Sequence, residues 1–417
     1  MKLKIDIQSE IGRLDAVLLH RPGHEVENMT PRNVQRALYS DILNLSIAQD
    51  EYEQLSGVLS KLASVYEVRD LLVKVLDQWK PRADLIHRIC VAEDVVPYID
   101  ILMAMDSADL ARVLIEGLPV RVDTLTAYLR NEYYALYPLY NFYFTRDAAV
   151  TIGNQALICR MANKVRMRES LIMDAIYRYS GAFECGVVDA NADQPETSEV
   201  IMEGGDILIA REDILIVGNG VRTTPQGIDF IVDRFCKAHP SGKLHVLVQQ
   251  LPSEPESFIH LDMVFTLLDR DKCMIFRPLI EQANQYQTVH ITIEQGRVES
   301  ISPVAGLLPA LKALGMDLKP LVCGGDDEWD QEREQWHSGA NFFALAPGRL
   351  LSYSRNVNTL EELSKHGFEI IPAWDIIQAN KDAADYGKCV ITIEGSELPR
   401  GGGGARCMTM PVRRKAL

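Results

Sequence analysis

Residues 207–248, ILIAREDILIVGNGVRTTPQGIDFIVDRFCKAHPSGKLHVLV, contain the pattern that decides the fold. The short apolar runs 207–209, 214–217 and 244–248 predict strands, and residues 227–238 predict a helix between the second and third strands. Because strands and helices alternate, the sequence predicts an α/β architecture. No sequence repeat of fixed period is visible, so any internal symmetry would be structural only. Further strands and a further helix are predicted at 156–159, 273–276 and 170–179.

The first third of the chain begins with the same strand and helix pattern and then becomes mainly helical. Residues 16–20, AVLLH, predict a strand, and the apolar spacing of residues 47–62 predicts a helix. Over residues 70–138 the strand-like alternation disappears and helical stretches dominate. We therefore predict a catalytic domain formed by residues 1–69 and 139–417, interrupted by a helical insertion domain.

The chain of 417 residues has an ordinary globular composition, with 47% hydrophobic and 24% charged residues. Its formal charge is −15, from 43 basic and 58 acidic residues, and this negative charge does not favour binding to nucleic acid or to an anionic membrane. The N-terminal segment lacks the basic and apolar runs of an export signal, and no stretch approaches the roughly 18 apolar residues of a spanning helix. Eight scattered cysteines without a CxxC pair are typical of reduced thiols, so we expect a cytoplasmic protein.

Four polar segments stand out among apolar surroundings and contain the residues that could perform chemistry. They are Asn141–Asp147, Met202–Asp206, Phe258–Phe265 and Arg406–Pro411. In the third segment, His260 and Asp262 are two residues apart in a β-like run, so both side chains would point to the same face of a strand. They could act on a ligand, but they could also form a buried hydrogen-bonded pair or half of a metal site.

The second and fourth segments are equally ambiguous when each is taken alone. The glycines between Glu203 and Asp206 allow a close backbone approach, and the alternative is a turn with surface acids. Cys407 follows a run of four glycines that could form a loop around a ligand, and Arg406 would favour its thiolate. The alternative for this cysteine is an inert buried thiol.

Two other classes of site are disfavoured by the spacing of the candidate residues. The His, Asp, Glu and Cys side chains could ligate a metal, but short ligand spacings such as CxxC or HExxH are absent. The segment 218–222, GNGVR, does not complete the GxGxxG of a nucleotide site, and no phosphate-binding loop of the GxxxxGK type occurs.

Together and in this order, the segments resemble the motifs of the arginine deiminase family. The FTRD of residues 144–147, the EGGD of 203–206, the HLD of 260–262 and the CMTMP of 407–411 each match a family motif. The resemblance extends over residues 10–413 and includes the helical insertion. It implies a five-bladed pseudo-symmetric α/β propeller, the pentein fold, with an inserted helical bundle domain. Further family-like residues are Gly12–Leu14, His20–Gly23, Glu332–Trp336 and Gly339–Asn341.

The resemblance also implies a reaction, the hydrolysis of L-arginine to L-citrulline and ammonia. Asp147 and Asp262 would hold the planar guanidinium group, and the Cys407 thiolate would attack its central carbon. His260, oriented by Glu203, would protonate the departing nitrogen and then activate a water molecule. The family implies no metal and no organic cofactor.

Four further residues are implied for the rest of the substrate. Arg166 and Arg222 would bind the substrate carboxylate, and Asn141 and Phe144 would line the pocket. For each arginine the alternative is an ordinary surface charge. The expected partner is therefore a small guanidino compound, and homo-oligomerisation is left open.

Several positions depart from the family pattern. Gly402 replaces the second arginine of an Arg-Gly-Arg, Ser40 and the pair His337-Ser338 replace acidic residues, and Met263 replaces a threonine. These exchanges could compensate one another, or they could mark a changed substrate.

Three functions therefore remain open. The first is arginine deiminase. The second keeps the fold and the nucleophile but acts on another guanidino or ureido compound, as a hydrolase or an amidinotransferase. The third is a non-catalytic binding protein of the same fold. The joint presence of five candidate catalytic residues argues against this third function: Cys407, His260, Glu203, Asp147 and Asp262.

Overall fold

The computed structural model describes residues 2–29, 38–39, 41–120, 122–130, 133–192, 195, 197–238 and 241–417. Within these residues the helices are α1 (His24–Glu27), α2 (Leu45–Leu62), α3 (Val68–Leu76), α4 (Trp79–Ala92), α5 (Ile99–Ala104), α6 (Ser107–Glu116), α7 (Leu125–Arg130), α8 (Met167–Tyr179), α9 (Pro225–Ala238), α10 (Arg277–Ile280), α11 (Leu307–Ala313), α12 (Glu328–Trp336), α13 (Val357–Lys365) and α14 (Ala373–Ile377).

The strands alternate with these helices along the chain. They are β1 (Leu3–Lys4), β2 (Leu14–Leu19), β3 (Ser64–Glu67), β4 (Leu118–Pro119), β5 (Tyr134–Leu136), β6 (Ala149–Ile152), β7 (Gln155–Ile158), β8 (Phe183–Glu184), β9 (Gly186–Asp189), β10 (Ile207–Arg211), β11 (Ile214–Asn219), β12 (Lys243–Gln250), β13 (Phe265–Asp269), β14 (Lys272–Ile275), β15 (Thr288–Glu294), β16 (Arg297–Val304), β17 (Lys319–Val322), β18 (Phe343–Ala346), β19 (Arg349–Tyr353), β20 (Glu369–Pro372), β21 (Cys389–Ile393) and β22 (Met410–Arg414).

The segment 207–248 folds as its sequence predicts. Strands β10 and β11 form an antiparallel hairpin, and β11 then pairs in parallel with β12 after helix α9. The central strand is apolar throughout residues 214–217, all of them buried, as expected for a strand that is covered on both faces. Helix α9 is amphipathic and buries its apolar side chains Ile228, Ile231, Val232 and Phe235.

The same pairing pattern occurs in five separate sheets. In each of them two strands form an antiparallel pair, and the second strand pairs in parallel with a strand that follows a helix. The five three-strand sets are β22-β2-β3, β6-β7-β9, β10-β11-β12, β13-β14-β17 and β18-β19-β21. Strands β15 and β16 extend the third sheet, and β20 extends the fifth. The predicted α/β class is therefore confirmed.

Helices α3 to α7 occupy most of the predicted helical insertion, residues 70–138. This region also contains a short antiparallel pair of strands, β4 and β5. These two strands have only two and three residues, too few to leave a visible alternation in the sequence. Buried residues of α3, α4 and α6 belong to the same hydrophobic cluster as buried residues of β6 and β7. The boundaries of the insertion as a separate domain stay a prediction.

The candidate residues lie at corresponding places in different sheets. Asp147 precedes β6, Glu203 precedes β10, His260 and Asp262 precede β13, and Cys407 precedes β22. Each of these strands is the first of its three-strand set, so the repeated pairing pattern gathers residues that are far apart in sequence. None of the helices in the described part of the chain combines the length and apolar character needed to cross a bilayer.

Candidate active site

Cys407 is buried at the end of the glycine-rich segment, with 3% of its surface exposed. Its thiol sulfur lies 3.6 Å from Oδ2 of Asp262 and accepts a hydrogen bond of 3.2 Å from Nδ2 of Asn341. Oδ1 of Asn341 accepts hydrogen bonds from the backbone N–H groups of Arg406 and Cys407. The amide of Asn341 therefore fixes both the sulfur and the backbone of this segment.

Arg406, next to the cysteine, belongs to a buried ionic network. Its guanidinium donates to both carboxylate oxygens of Glu10, each at 3.1 Å, to Oδ2 of Asp262 at 2.8 Å, and to the carbonyl of Ile207. Arg406 lowers the pKa of the Cys407 thiol, as expected, but this effect is smaller than those that raise it. Burial and the charges of Asp262 and Asp147 raise the pKa of the thiol well above its usual value.

His260 forms a second buried cluster with two carboxylates. Its Nε2 lies 2.8 Å from Oε2 of Glu203, and its Nδ1 lies 3.7 Å from Oδ1 of Asp147. Burial alone would lower the pKa of His260, but the charge of Asp147 and the hydrogen bond with Glu203 raise it to about 9. Burial would likewise raise the pKa of Glu203, but Arg222 and His260 outweigh it and lower that pKa. The stable state of the pair is therefore a protonated imidazole that donates a hydrogen bond to the ionised carboxylate of Glu203.

The segment from His260 to Met263 does not have the predicted strand conformation. Residues 261–263 form a 3₁₀ turn, because the N–H of Leu261 donates to the buried side chain of Asp206 at 2.9 Å. The two side chains that were expected on one strand face instead meet different partners, Glu203 for His260 and Arg406 for Asp262.

The EGGD segment forms a 3₁₀ helix over Gly204–Asp206, and its two acidic side chains are buried, so the alternative of a turn with surface acids was wrong. The glycines are required because neighbouring groups approach their α-carbons closely. A Cβ on Gly204 would lie 2.1 Å from the carbonyl oxygen of Arg146, and one on Gly205 would lie 2.6 Å from Nδ1 of His260. The turn therefore brings the backbone directly against the imidazole.

The two arginines predicted to bind the substrate carboxylate have different surroundings. Arg166 is buried and donates to Oδ2 of Asp147 at 2.7 Å and to both carboxylate oxygens of Glu169. Arg222 lies at the wall of a cavity, with its Nη1 3.4 Å from Oε1 of Glu203. The expected role of each arginine stays a prediction.

Asn141 and Phe144 are also buried near this cluster, and their backbone carbonyls accept hydrogen bonds from Arg166. The ring of Phe144 packs against the glycine run that precedes Cys407. A Cβ on Gly403 would lie 2.4 Å from this ring, and one on Gly401 would lie 2.1 Å from the hydroxyl of Tyr143. Glycine is therefore needed here for close packing, and the ring of Phe144 supports the nucleophile loop.

Asp147, Glu203 and His260 also offer ligand atoms that lie within 4.8 Å of one another, the one such group of three in the described residues. The guanidinium groups of Arg166 and Arg222 already contact the two carboxylates. A metal cation would have to displace or repel these groups. The surroundings therefore favour a charge-paired acid and base over a metal centre.

Asn341 and Glu10 are functional candidates that the sequence analysis did not select. Asn341 lies two residues before β18, the first strand of the fifth set, in the GAN segment that was noted only as family-like. Glu10 accepts a hydrogen bond from Arg406, which is 396 residues away in the sequence. Burial would raise the pKa of Glu10, but the charges of Arg406 and Arg146 outweigh this effect and lower the pKa to about 2. No local pattern in the sequence could reveal such a distant partner.

Comparison with known proteins decides the family. The model of the arginine deiminase family matches residues 35–414. The arginine deiminase of Bacillus cereus (strain ATCC 10987 / NRS 248) is 34% identical over 440 aligned residues, covering 100% of both chains, and that of Mycoplasma capricolum subsp. capricolum is 32% identical over 439, covering 100% of this chain and 99% of its own. The chain belongs to the arginine deiminase family.

Solved structures with low sequence identity share the fold of this family member. The N-terminal domain of ArgZ, an arginine dihydrolase solved as a mutant with bound substrate, has a TM-score of 0.53 at 14% identity, covering 96% of this chain and 99% of its own. SxtG, an amidinotransferase from Microseira wollei, has a TM-score of 0.54 at 12% identity, covering 100% of this chain and 98% of its own. At this identity the likeness establishes the fold alone.

Three of the positions that depart from the family pattern lie together at one cavity. Met263, His337 and Gly402 line one cavity of about 270 Å³. Ser338 is buried beside it, and Ser40 lies outside the described residues. These three departures therefore share one cavity wall, which does not include Cys407 or His260.

Replacing Gly205 by alanine is expected to lower kcat by about 100-fold, because the new methyl group would displace the imidazole of His260 by a large fraction of an ångström. The change should be measured as steady-state citrulline formation from arginine, together with the melting temperature. Gly387→Ala is the matched control, since a Cβ at Gly387 meets nothing within 4 Å. An unchanged kcat in Gly205→Ala would show that the imidazole does not depend on this contact.

Proposed function

We propose that the protein is an arginine deiminase, which hydrolyses L-arginine to L-citrulline and ammonia through a covalent intermediate on Cys407. The observation that carries this proposal is the buried thiol 3.6 Å from the buried carboxylate of Asp262. A thiol beside a carboxylate resists ionisation until a cation binds next to it. A guanidinium is such a cation, and its N–H groups can donate paired hydrogen bonds to carboxylates. The family relationship supports the same reaction.

The fold proposed for this enzyme is a five-bladed α/β propeller with an inserted helical bundle, residues 70–138. The five sheets with one pairing pattern support the blades, and helices α3 to α7 support the insertion. In this arrangement the loops before the first strand of each blade would surround one central site. The candidate residues occupy those loops.

The guanidinium of the substrate would lie between Asp147 and Asp262. Oδ2 of Asp147 already accepts from Arg166, whereas its Oδ1 is buried without a hydrogen-bond partner among the residues that the structure describes. A buried carboxylate oxygen without a partner is costly, so an N–H group of the substrate would satisfy it. Asn141 and Phe144 would complete the pocket, and Arg222 with Arg166 would supply positive charge near the substrate carboxylate.

The reaction would follow from these positions in two stages. The positive guanidinium lowers the cost of ionising Cys407, the thiol releases its proton to solvent, and the thiolate adds to the central carbon. The imidazolium of His260 donates its proton to an amino nitrogen of the adduct, the C–N bond breaks, and ammonia leaves. Neutral His260 then takes a proton from water, the hydroxide adds to the same carbon, and the C–S bond breaks as the hydroxyl proton passes to the sulfur, which releases citrulline and restores the thiol. The steps balance without a metal or organic cofactor.

The rate should fall as the pH rises through about 9, because the raised pKa keeps His260 protonated below that value and neutral above it. The measurement is kcat/KM for arginine against pH, with circular dichroism at each pH to confirm folding. In Glu203→Gln, the hydrogen bond that raises this pKa is weakened, so the falling limb should move to lower pH. A limb that stays in place in this variant would assign it to another group.

The function is tested by incubating the protein with L-arginine, with agmatine and with guanidino acids, each with and without an amine acceptor. Citrulline and ammonia from arginine in equal amounts are expected. Amidino transfer to the acceptor, the reaction class named for SxtG, would replace the proposal by the second alternative. No product from any guanidine would favour a binding protein.

A further inference from the structure

Asn341 lies in the loop between helix α12 and strand β18, and 1% of its surface is exposed. Its side-chain amide contacts two segments that carry candidate catalytic residues. Nδ2 donates to the carbonyl of Asp262 at 3.1 Å and to the sulfur of Cys407 at 3.2 Å. Oδ1 accepts from the backbone N–H groups of Arg406 and Cys407 at 2.9 and 3.3 Å. Both polar atoms of the amide are therefore used.

These contacts determine which end of the amide faces the sulfur. The N–H groups of Arg406 and Cys407 need an acceptor, and the carbonyl of Asp262 needs a donor. If the amide rotated by 180°, all three of these hydrogen bonds would be lost. An N–H group is therefore directed at the sulfur before any substrate binds, and a donor that is already in place stabilises charge without the cost of reorientation.

The charges around the sulfur make such a donor important. Burial and the carboxylates of Asp262 and Asp147 raise the pKa of the Cys407 thiol. The N–H of Gly404 and the charge of Arg406 lower this pKa, but by less. In the proposed reaction the sulfur nevertheless carries a negative charge twice, when the thiol ionises and when the C–S bond breaks. A hydrogen bond to a charged acceptor is stronger than one to a neutral acceptor, so a donor acts most strongly at these two moments.

The backbone of the glycine run reaches the same sulfur because position 404 has no side chain. The N–H of Gly404 is directed toward the sulfur of Cys407, as its effect on the thiol shows. A Cβ on Gly404 would lie 2.6 Å from Oδ1 of Asn341 and would push the amide away. Two N–H groups from separate segments can therefore converge on one sulfur atom.

We propose that Asn341 is a catalytic residue whose N–H group stabilises negative charge on the sulfur of Cys407, first in the thiolate and again as the C–S bond breaks. This inference rests on the proposed function. In the first stage the thiol loses its proton to solvent, and Asn341 stabilises the thiolate until its electron pair forms the C–S bond. In the second stage that electron pair returns to the sulfur, and Asn341 stabilises it until the hydroxyl proton arrives. Asn341 itself neither gains nor loses a proton.

The test measures the reactivity of the Cys407 thiol separately from turnover. In Asn341→Ala, alkylation of Cys407 by iodoacetamide at one fixed pH, followed by peptide mass spectrometry, should slow about tenfold or more, because less thiolate is present. The kcat for citrulline formation should fall about 10- to 100-fold, with KM for arginine changed less than about 3-fold. The adduct on Cys407, trapped by acid quench, should both form and decay more slowly.

Two variants separate the contact with the sulfur from the anchoring of the loop. Tyr353→Phe removes a hydrogen bond of 3.1 Å to the carbonyl of Gly403, so it loosens the same loop without removing a donor to the sulfur, and alkylation and kcat should stay within about 3-fold of wild type. Asn341→Asp keeps an oxygen for the two backbone N–H groups but loses the amide donor, so it should slow alkylation at least as much as Asn341→Ala. Alkylation closer to wild type in Asn341→Asp, or an equal loss in Tyr353→Phe, would reduce Asn341 to an anchor and overturn the proposal.

Gly404→Ala tests the same contact with Asn341 unchanged, and it also serves if loss of the amide prevents folding. The new methyl group should displace the amide and slow alkylation of Cys407, whereas Gly387→Ala, with nothing within 4 Å of the new Cβ, should not. Unchanged alkylation of Cys407 in folded Asn341→Ala and in Gly404→Ala would overturn the inference and leave the deiminase proposal standing. Absence of citrulline from the wild-type protein would overturn the proposed function, and the alkylation rates would still decide whether Asn341 supports the thiolate.

Discussion

Replacing Cys407 by alanine is expected to lower citrulline formation by at least about 10⁴-fold, because no other thiol can take the place of the nucleophile. All eight cysteines are free, but Cys407 is the one in contact with Asp262 and Asn341. The variant should still bind arginine, since the two carboxylates that would hold the guanidinium remain. Citrulline assays and calorimetric binding of arginine measure the two properties separately.

Cys185→Ala is the matched control for this variant. Cys185 is half-buried next to β9, away from the thiol loop, and its loss should leave the rate unchanged. Mass spectrometry of wild-type protein quenched during turnover should find an adduct on Cys407 and none in Cys407→Ala. Residual activity of Cys407→Ala at a tenth of the wild-type rate would exclude covalent catalysis by this residue.

Replacing Asp262 by asparagine is expected to lower kcat/KM for arginine by about 10³-fold, because the variant loses a charged acceptor for the guanidinium beside the nucleophile. It should also lower the free energy of unfolding by about 2–4 kcal/mol, since Arg406 loses one of its two buried carboxylate partners. Activity and chemical denaturation measured on the same preparation separate these effects.

Glu10→Gln distinguishes a substrate contact from a purely structural role of Asp262. Both carboxylates pair with Arg406, but Glu10 has no contact with the thiol, so the two variants should lose similar stability while only Asp262→Asn loses activity. Because the pKa of Glu10 is lowered from 4.5 to about 2, its stabilising contribution is present above pH 4.5 and lost as the pH falls through about 2. Equal losses of activity in both variants would show that Asp262 acts only by holding Arg406.

The strands and helices of the catalytic region were predictable because their patterns are local. The alternating elements of residues 207–248 are specified by runs of apolar residues whose length and spacing are visible in the sequence. The order of the motifs was sufficient to select five candidate residues together: Cys407, His260, Glu203, Asp147 and Asp262. In the structure each of them lies in a loop before the first strand of a three-strand set. The pairing of those strands depends on contacts between distant segments, which no local pattern contains.

The errors have the same physical origin. The run around His260 is as apolar and as alternating as a strand, but the side chain of Asp206 captures the N–H of Leu261 and turns the backbone into a 3₁₀ conformation. Arg406 lowers the pKa of the thiol as expected, but burial and the charges of Asp262 and Asp147 outweigh it, and both of these residues are far from Cys407 in the sequence. Charge on a buried side chain is set by partners, which the sequence alone does not specify.

The pairing of β22 with β2 has a consequence for how the protein acquires activity. The cysteine loop is held by Arg406 and Glu10, 396 residues apart, and by the neighbouring strands of the two segments. Closing so long a loop is entropically costly and slow compared with forming a hairpin and its helix. The other four three-strand sets contain shorter connections and can form before it. A refolding chain can therefore have nearly all of its secondary structure and still be inert, and catalysis begins only when β22 has paired with β2.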